Sequence, residues 1–452
     1  MLPIGQRKNG FLFSWLVLFA SFVWLFQLSQ SMHLLVLGSL FSIAFVAYLF
    51  LVCSAHEFST RSIWFGTILL YLLAFWQMPF LSNDYYRFLW DGELMHLGIN
   101  PYDFTPNQII QFQKFTDCNF LDLYAGMGDL SRRNYSCYPT VNQAYFYLST
   151  LFSNDIATNV AIMRALVFAS MLFGAYHLNS ILIFLNFSAK RIFLLLLNPL
   201  VIIESMGNLH FELVTVAFLL ASLHLLLKQK FWLSALFFAF AVHVKLIPLL
   251  LLPFLLSYLG WKQALRYYLF VGFFVVLLFL PLLNFENLPN FVMSLRLYFR
   301  EFEFNSYLLY PYLQYGQWKF GYNLTSLYAP KLARWALVII LGIAWNRKQI
   351  GHLDLLKRMF LGTMVYYFLT STVHPWYWIL PLALSVFTFS WSVLLASWCA
   401  IFSYGIYELG HHSDFRDYLA AMNVVVMIIF FLEIVQPKKW KERLPKVFRV
   451  GN

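Results

Sequence analysis

Between Ser82 and Tyr102 the chain reads SNDYYRFLWDGELMHLGINPY, with Asp84, Arg87, Asp91 and Glu93 inside ten residues although only 11% of the chain is charged. The run follows a membrane-length apolar segment, so it puts carboxylates at a membrane surface. A carboxylate there can serve as general base if it comes within hydrogen-bond reach of a hydroxyl proton. Asp84 and Asp91 are both candidates for that base. Arg87, Trp90 and Tyr102 stand beside them as candidate substrate contacts, the aromatic residues offering faces on which sugar rings can stack. The same spacing has a plainer reading. If residues 83–98 form a helix on the membrane surface, Asp84, Arg87 and Asp91 share one face and Arg87 simply pairs with both acids. An exposed ladder of that kind contributes about 0–1 kcal/mol, which is little reason to place it at a membrane exit.

The elements that must carry this run are membrane helices. The 452 residues are 61% hydrophobic and 20% aromatic, with a mean hydropathy of +0.67, far above a soluble domain. Apolar stretches recur near 11–29, 33–53, 63–81, 158–187, 191–206, 211–227, 231–244, 246–260, 266–283, 332–346, 358–373, 376–390, 392–409 and 418–436. About twenty residues cross a bilayer as a helix, and shorter ones can cross inside a bundle. The expected fold is therefore all-α, a polytopic bundle of about fourteen helices forming one membrane domain over 1–452, with juxtamembrane helices in its first long loop. With a cytoplasmic N-terminus, Arg61, Lys190, Arg191, Lys228, Lys230, Lys262, Arg266 and the tail after Pro437 all fall inside. This accounts for most of the net charge of +11 without any nucleic-acid partner. It also leaves two long loops outside, a first at 82–157 and a second at 284–331.

Further polar residues collect at the same outer face. Lys245, in AVHVKLIP, interrupts two apolar runs, a costly placement for an ammonium group that usually marks function. It is the first candidate to hold an anionic group such as a phosphate. His374 in VHPWYW, Arg296 and Arg300 follow, and Trp376 and Tyr377 lie beside His374. Glu204 and His210, with Glu212, bracket the turn Gly207-Asn208-Leu209 and are candidate substrate contacts, or else polar residues of a hairpin that faces water. The i, i+2 spacing of His210 and Glu212 gives no metal-ligand pattern. No nucleotide-binding glycine motif is present, and one nearby carboxylate rarely suffices to hold Mg²⁺ or Mn²⁺, so neither a metal nor another cofactor is expected.

Four stretches, SNDYYRFLWDGELMHLGINPYDFTP, YPTVNQAYFYLSTLF, NPLVIIESMGNLHFELVTVAFLLASLHLL with FWLSALFFAFAVHVKLIPLLLLPF, and TSTVHPWYWILPLAL, run in order from about residue 82 to 385. In that order the chain resembles the GT-C superfamily of integral-membrane glycosyltransferases, most closely its polyprenyl-phosphate-mannose-dependent mannosyltransferases and the first GPI mannosyltransferase. The resemblance implies transfer of a hexose from a polyprenyl phosphate to a glycan or lipid acceptor hydroxyl, on the outer face of the membrane, with inversion. In such enzymes an acid of the first extracytoplasmic loop is the base, and Asp84 matches it. Mannose follows from resemblance alone. The rival class is a transporter or lipid-linked sugar flippase, in which Lys245 and Glu204 would line a path. No internal repeat supports it. Cys118 and Cys137 fall in the first outer loop, where an oxidising compartment would let them pair and an unpaired state stands equally open.

Overall fold

The computed structural model describes residues 4–27, 33–112, 118–297, 302–346, 348–409, 413–437, 440 and 444–448. Among these the chain is helical throughout, and its one extended pairing is an isolated parallel bridge between Phe304 and Thr372. Seven helices are long and apolar enough to cross a membrane: Asn9–Gln27, Leu34–Glu57, Ile156–Phe184, Trp261–Phe279, Thr325–Ala344, Trp391–Leu409 and Asp414–Val435. Thr60–Trp76, Phe231–Val244, Ile247–Leu259 and Pro375–Thr388 are shorter apolar helices packed into the same bundle.

The stretch expected as a single helix over 191–206 is instead broken into pieces. A short turn at Ala189–Ile192 leads into Phe193–Leu196, and the chain stops at Asn198 before Pro199. Proline cannot donate into a preceding turn, but it fits the first position of a new helix. Asn198 caps that helix by accepting from the Leu200 amide at 3.0 Å. The new helix widens into one π turn over Ile203–Gly207 and ends. Leu209 then takes φ 63°, a left-handed conformation costing a side-chain-bearing residue about 1–2 kcal/mol. The next helix, Glu212–Leu227, leaves at 108° to the first, the geometry of a broken span or of a re-entrant loop.

Arg164, fully buried on the Ile156–Phe184 helix, closes this break. Its guanidinium donates to the carbonyls of Met206 at 2.5 Å, Gly207 at 3.4 Å and Phe75 at 3.1 Å. A helix end inside a bundle leaves carbonyls unsatisfied, and a cation at that end answers both their hydrogen bonding and the negative pole of the helix dipole.

The first long loop is a folded unit made of the helices Asp84–His96, Pro106–Phe112, Cys118–Gly126, Asp129–Arg133 and Thr140–Thr150. Asp84–His96 lies against Thr140–Thr150, with Phe88 stacked on Phe146 at 4.7 Å. The approach is close enough that a Cβ on Gly92 would sit 2.5 Å from the Phe146 carbonyl oxygen and 2.7 Å from Thr150 Oγ1. In the second long loop, helices Leu288–Arg296 and Leu309–Phe320 precede the Thr325–Ala344 span, which starts earlier than the expected 332. Between them Phe304 pairs with the chain at Ser371 and Val373, by amide to carbonyl bonds of 3.1 and 2.8 Å.

Because the Gly92 contact is with backbone, it cannot relax by a rotamer change. Gly92→Ala is expected to lower stability by about 1–3 kcal/mol through overpacking, seen as a lower thermal midpoint of the purified protein.

Candidate functional site

One large cavity, of about 860 Å³, opens where the first long loop meets the broken span. Its wall combines Asp84 at the start of the loop helix, His210 in the break, Lys245 at the end of Phe231–Val244, and His374, Trp376 and Tyr377. The Thr140–Thr150 helix is tied to this wall by Asn142, whose amide donates to the Val244 carbonyl at 2.9 Å. The lining also holds Glu408, Asn83, Thr370 and Thr372, and an apolar stretch that includes Leu246, Ile247, Leu249, Leu250, Leu337 and Ile340.

Asp84 is the first residue of its helix, where the positive end of the helix dipole favours a carboxylate. Its Oδ2 lies 3.6 Å from His210 Nε2. Burial alone would raise its carboxyl, but His210, and more distantly Lys245, outweigh that and hold the pKa below the ordinary carboxylate value. Asp84 is thus ionised at neutral pH. Lys245 pairs with Glu212 and lies 5.1 Å above the Tyr377 ring. Among the described residues it is the one Lys or Arg on the cavity wall.

The imidazole of His210 stacks on Trp376 at 3.5 Å, Trp376 on His374 at 4.3 Å, and His374 on Phe304 at 4.4 Å. His374 is buried, and its Nδ1 has no hydrogen-bond partner among the described residues. Burial pushes its pKa down to about 3, so at neutral pH it is a neutral hydrogen-bonding group and not the cation that its position in the sequence allows.

Several expected contacts do not reach the cavity. Asp91 is fully buried. Its Oδ1 accepts from Arg87 Nε at 2.8 Å, and its Oδ2 from Ser136 Oγ at 2.6 Å and Gln143 Nε2 at 3.0 Å. Arg87 also donates to the carbonyls of Ser131 and Asn134, at 2.6 and 2.9 Å. The plain reading therefore holds for this pair, while Asp84 turns to His210 instead of Arg87. Asp91 ties the loop helices together and is absent from the cavity wall. Trp90 is fully buried against Phe120, and Tyr102 is fully buried with its hydroxyl donating to the Tyr138 carbonyl at 2.7 Å. Both are core residues. Arg296 is exposed and off the cavity wall, and Arg300 lies outside the described residues. Glu204, expected to touch substrate or water, is fully buried behind His210. Cys137 is a free thiol on the cavity wall, and the side chain of Cys118 lies outside the described residues.

Other residues at the site went unnoticed in the sequence. Tyr366, Tyr404 and Tyr407 line the cavity, but three tyrosines in a chain holding 27 give no signal of their own. Arg164 did carry one, since an arginine inside an apolar helix is costly unless partnered.

The helical membrane bundle thus presents an acid of the first long loop and one lysine on a single cavity wall, and a family match places such a chain among the GT-C mannosyltransferases. The family model described as alpha-(1->6)-mannopyranosyltransferase, N-terminal domain (the MptA_B family) matches residues 9–260, and the chain belongs to that family. No curated protein matches the chain. The matched part holds Asp84, His210 and Lys245, whereas His374, Trp376, Tyr377, Tyr404 and Tyr407 come from the remainder.

Asp91→Asn leaves Arg87 buried without its counter-charge, and removing one partner of such a pair costs about 3–5 kcal/mol. The expected result is a sharply lower thermal midpoint, together with earlier protease cleavage in the 82–157 loop.

Proposed function

We propose that the cavity transfers mannose from a polyprenyl phosphate to an acceptor hydroxyl on the extracytoplasmic side of the membrane, with inversion at the anomeric carbon. The observation that carries this reading is that Asp84 and Lys245 stand on the same cavity wall, with apolar residues beside them. The acceptor oxygen attacks the anomeric carbon while its proton passes to Asp84. The bond between that carbon and the phosphate oxygen breaks, and its electron pair leaves with the phosphate. A single displacement of this kind inverts the centre. The departing phosphate changes from a singly charged diester to a monoester of greater charge, and Lys245 is the cation available to stabilise it.

The remaining lining suits the other parts of these substrates. Tyr377, half-buried on the wall, offers a face for a sugar ring, while the faces of Trp376 are taken by His210 and His374. Leu249, Leu250, Leu337 and Ile340 offer an apolar surface for a prenyl chain. The extracytoplasmic assignment is supported by the basic short loops at the opposite ends of the helices, through the positive-inside tendency.

Asp84→Asn keeps size and removes basicity. In purified protein supplied with polyprenyl-phosphate mannose and an alkyl mannoside acceptor, transfer is expected to fall by about 10²–10⁴-fold, the range for loss of a general base, with donor binding retained. Near wild-type turnover would sink the assignment. Lys245→Met is expected to weaken donor binding and slow transfer in a folded protein, with partial rescue by Lys245→Arg. Unchanged donor affinity in the Met variant would leave Lys245 as a membrane-interface anchor, its long stem reaching to the surface.

A further inference from the structure

We propose that Glu204, His210 and Asp84 form a positioning relay, in which the buried Glu204 fixes His210 and His210 holds one oxygen of the Asp84 carboxylate while the other faces the acceptor. The proposal rests on the reading of Asp84 as the base. Glu204 is fully buried and absent from the cavity wall, so it acts on substrate only through another residue. Its carboxylate accepts from His210 Nδ1 at 2.7 Å, from Asn208 Nδ2 at 3.2 Å, and from the Tyr404 hydroxyl at 3.0 Å to each oxygen. Such a set of donors fixes the orientation of both the carboxylate and the ring it holds.

With Nδ1 donating to Glu204, Nε2 is the nitrogen left to face Asp84 Oδ2 at 3.6 Å, an ion-pair distance, and it has no hydrogen-bond partner among the described residues. A lone pair there would oppose the carboxylate, whereas an N–H would attract it. The doubly protonated ring is therefore the form that satisfies both neighbours. Trp376, stacked on the ring at 3.5 Å, offers a π face to that cation. The break in the span delivers this geometry: Glu204 lies in the π turn, Asn208 and His210 lie in the reversal, and Arg164 clamps the carbonyls between them.

The charged and titratable groups around the relay define what the test must read. Asp84 faces His210, His374 and Lys245, the last already paired with Glu212. His210 faces Asp84 and Glu204, and the phenols of Tyr404 and Tyr407 lie close to both acids. Removing the charge of Glu204 weakens the hold of His210 on its second proton. Asp84 then loses a neighbouring positive charge, and its protonation moves to higher pH.

Glu204→Gln preserves size and an acceptor oxygen. It is expected to lower kcat by about 10–100-fold, the scale on which a second layer of hydrogen bonds tunes the groups in front of it. KM should stay unchanged, the acidic limb of kcat should move to higher pH, and Glu204→Asp should restore part of the rate. A merely structural Glu204 would change the thermal midpoint without moving that limb. Wild-type kcat with an unmoved limb in folded Glu204→Gln overturns the relay. If that variant does not fold, Tyr404→Phe decides: a smaller loss in the same direction supports the relay, and an unaltered kcat and limb overturn it. Asp84→Asn separates the two readings. Retained turnover in Asp84→Asn removes the base and the relay together, while an inactive Asp84→Asn beside a normal Glu204→Gln removes the relay alone.

Discussion

A helix broken within a membrane bundle exposes carbonyls that lipid cannot hydrogen-bond, and the rest of this structure depends on how that break is satisfied. Arg164 answers it with two carbonyl contacts, to Met206 and Gly207, from a fully buried guanidinium that also ties in the Phe75 carbonyl. An unsatisfied polar group in an apolar medium is costly, so the broken end and the arginine hold each other in place. The break supplies something that an unbroken helix would not: a reversal at Asn208 and Leu209 that turns His210 toward the cavity while Glu204 stays behind it.

Asp84 reaches the same cavity by a different route. Its helix is fixed from one side by the Gly92 contact with Thr140–Thr150, and from within by Asp91, whose oxygens gather Arg87, Ser136 and Gln143. Two carboxylates seven residues apart on one helix thus serve opposite purposes. Asp91 accepts from three side chains and is fully buried, while Asp84, at the helix start, lies on the cavity wall with His210 beside it. Environment, not residue type, separates the two.

The cavity also joins the two parts of the chain. The family match ends at residue 260, yet the stacked column of Trp376, His374 and Phe304, and the tyrosine that holds Glu204, come from beyond it. The pairing of Phe304 with the strand-like segment before His374 brings the second long loop onto this column. The matched segment carries the charged groups, and the remainder carries the aromatic wall and the support behind them.

The sequence by itself determined the class of fold, because apolar length and composition leave few options to a chain that must satisfy its backbone inside a membrane. Phe231–Val244 matches the expected 231–244 in full. The sequence also singled out Asp84, His210, Lys245, His374, Trp376 and Tyr377, since polar and aromatic residues at the ends of apolar runs stand out by contrast, and all six line the cavity. Tertiary structure alone decided which of the flagged residues face it. Asp91, Arg87, Trp90 and Tyr102 share the polar run with Asp84, but helical rotation and the packing of Thr140–Thr150 turn them into the loop core. The division of 191–206 was signalled only by Asn198-Pro199, and the role of Arg164 depends on carbonyls 42 and 43 residues away along the chain. Local composition reports where a charge is costly, whereas the partner that offsets the cost is chosen by contacts between distant segments, which no local spacing encodes.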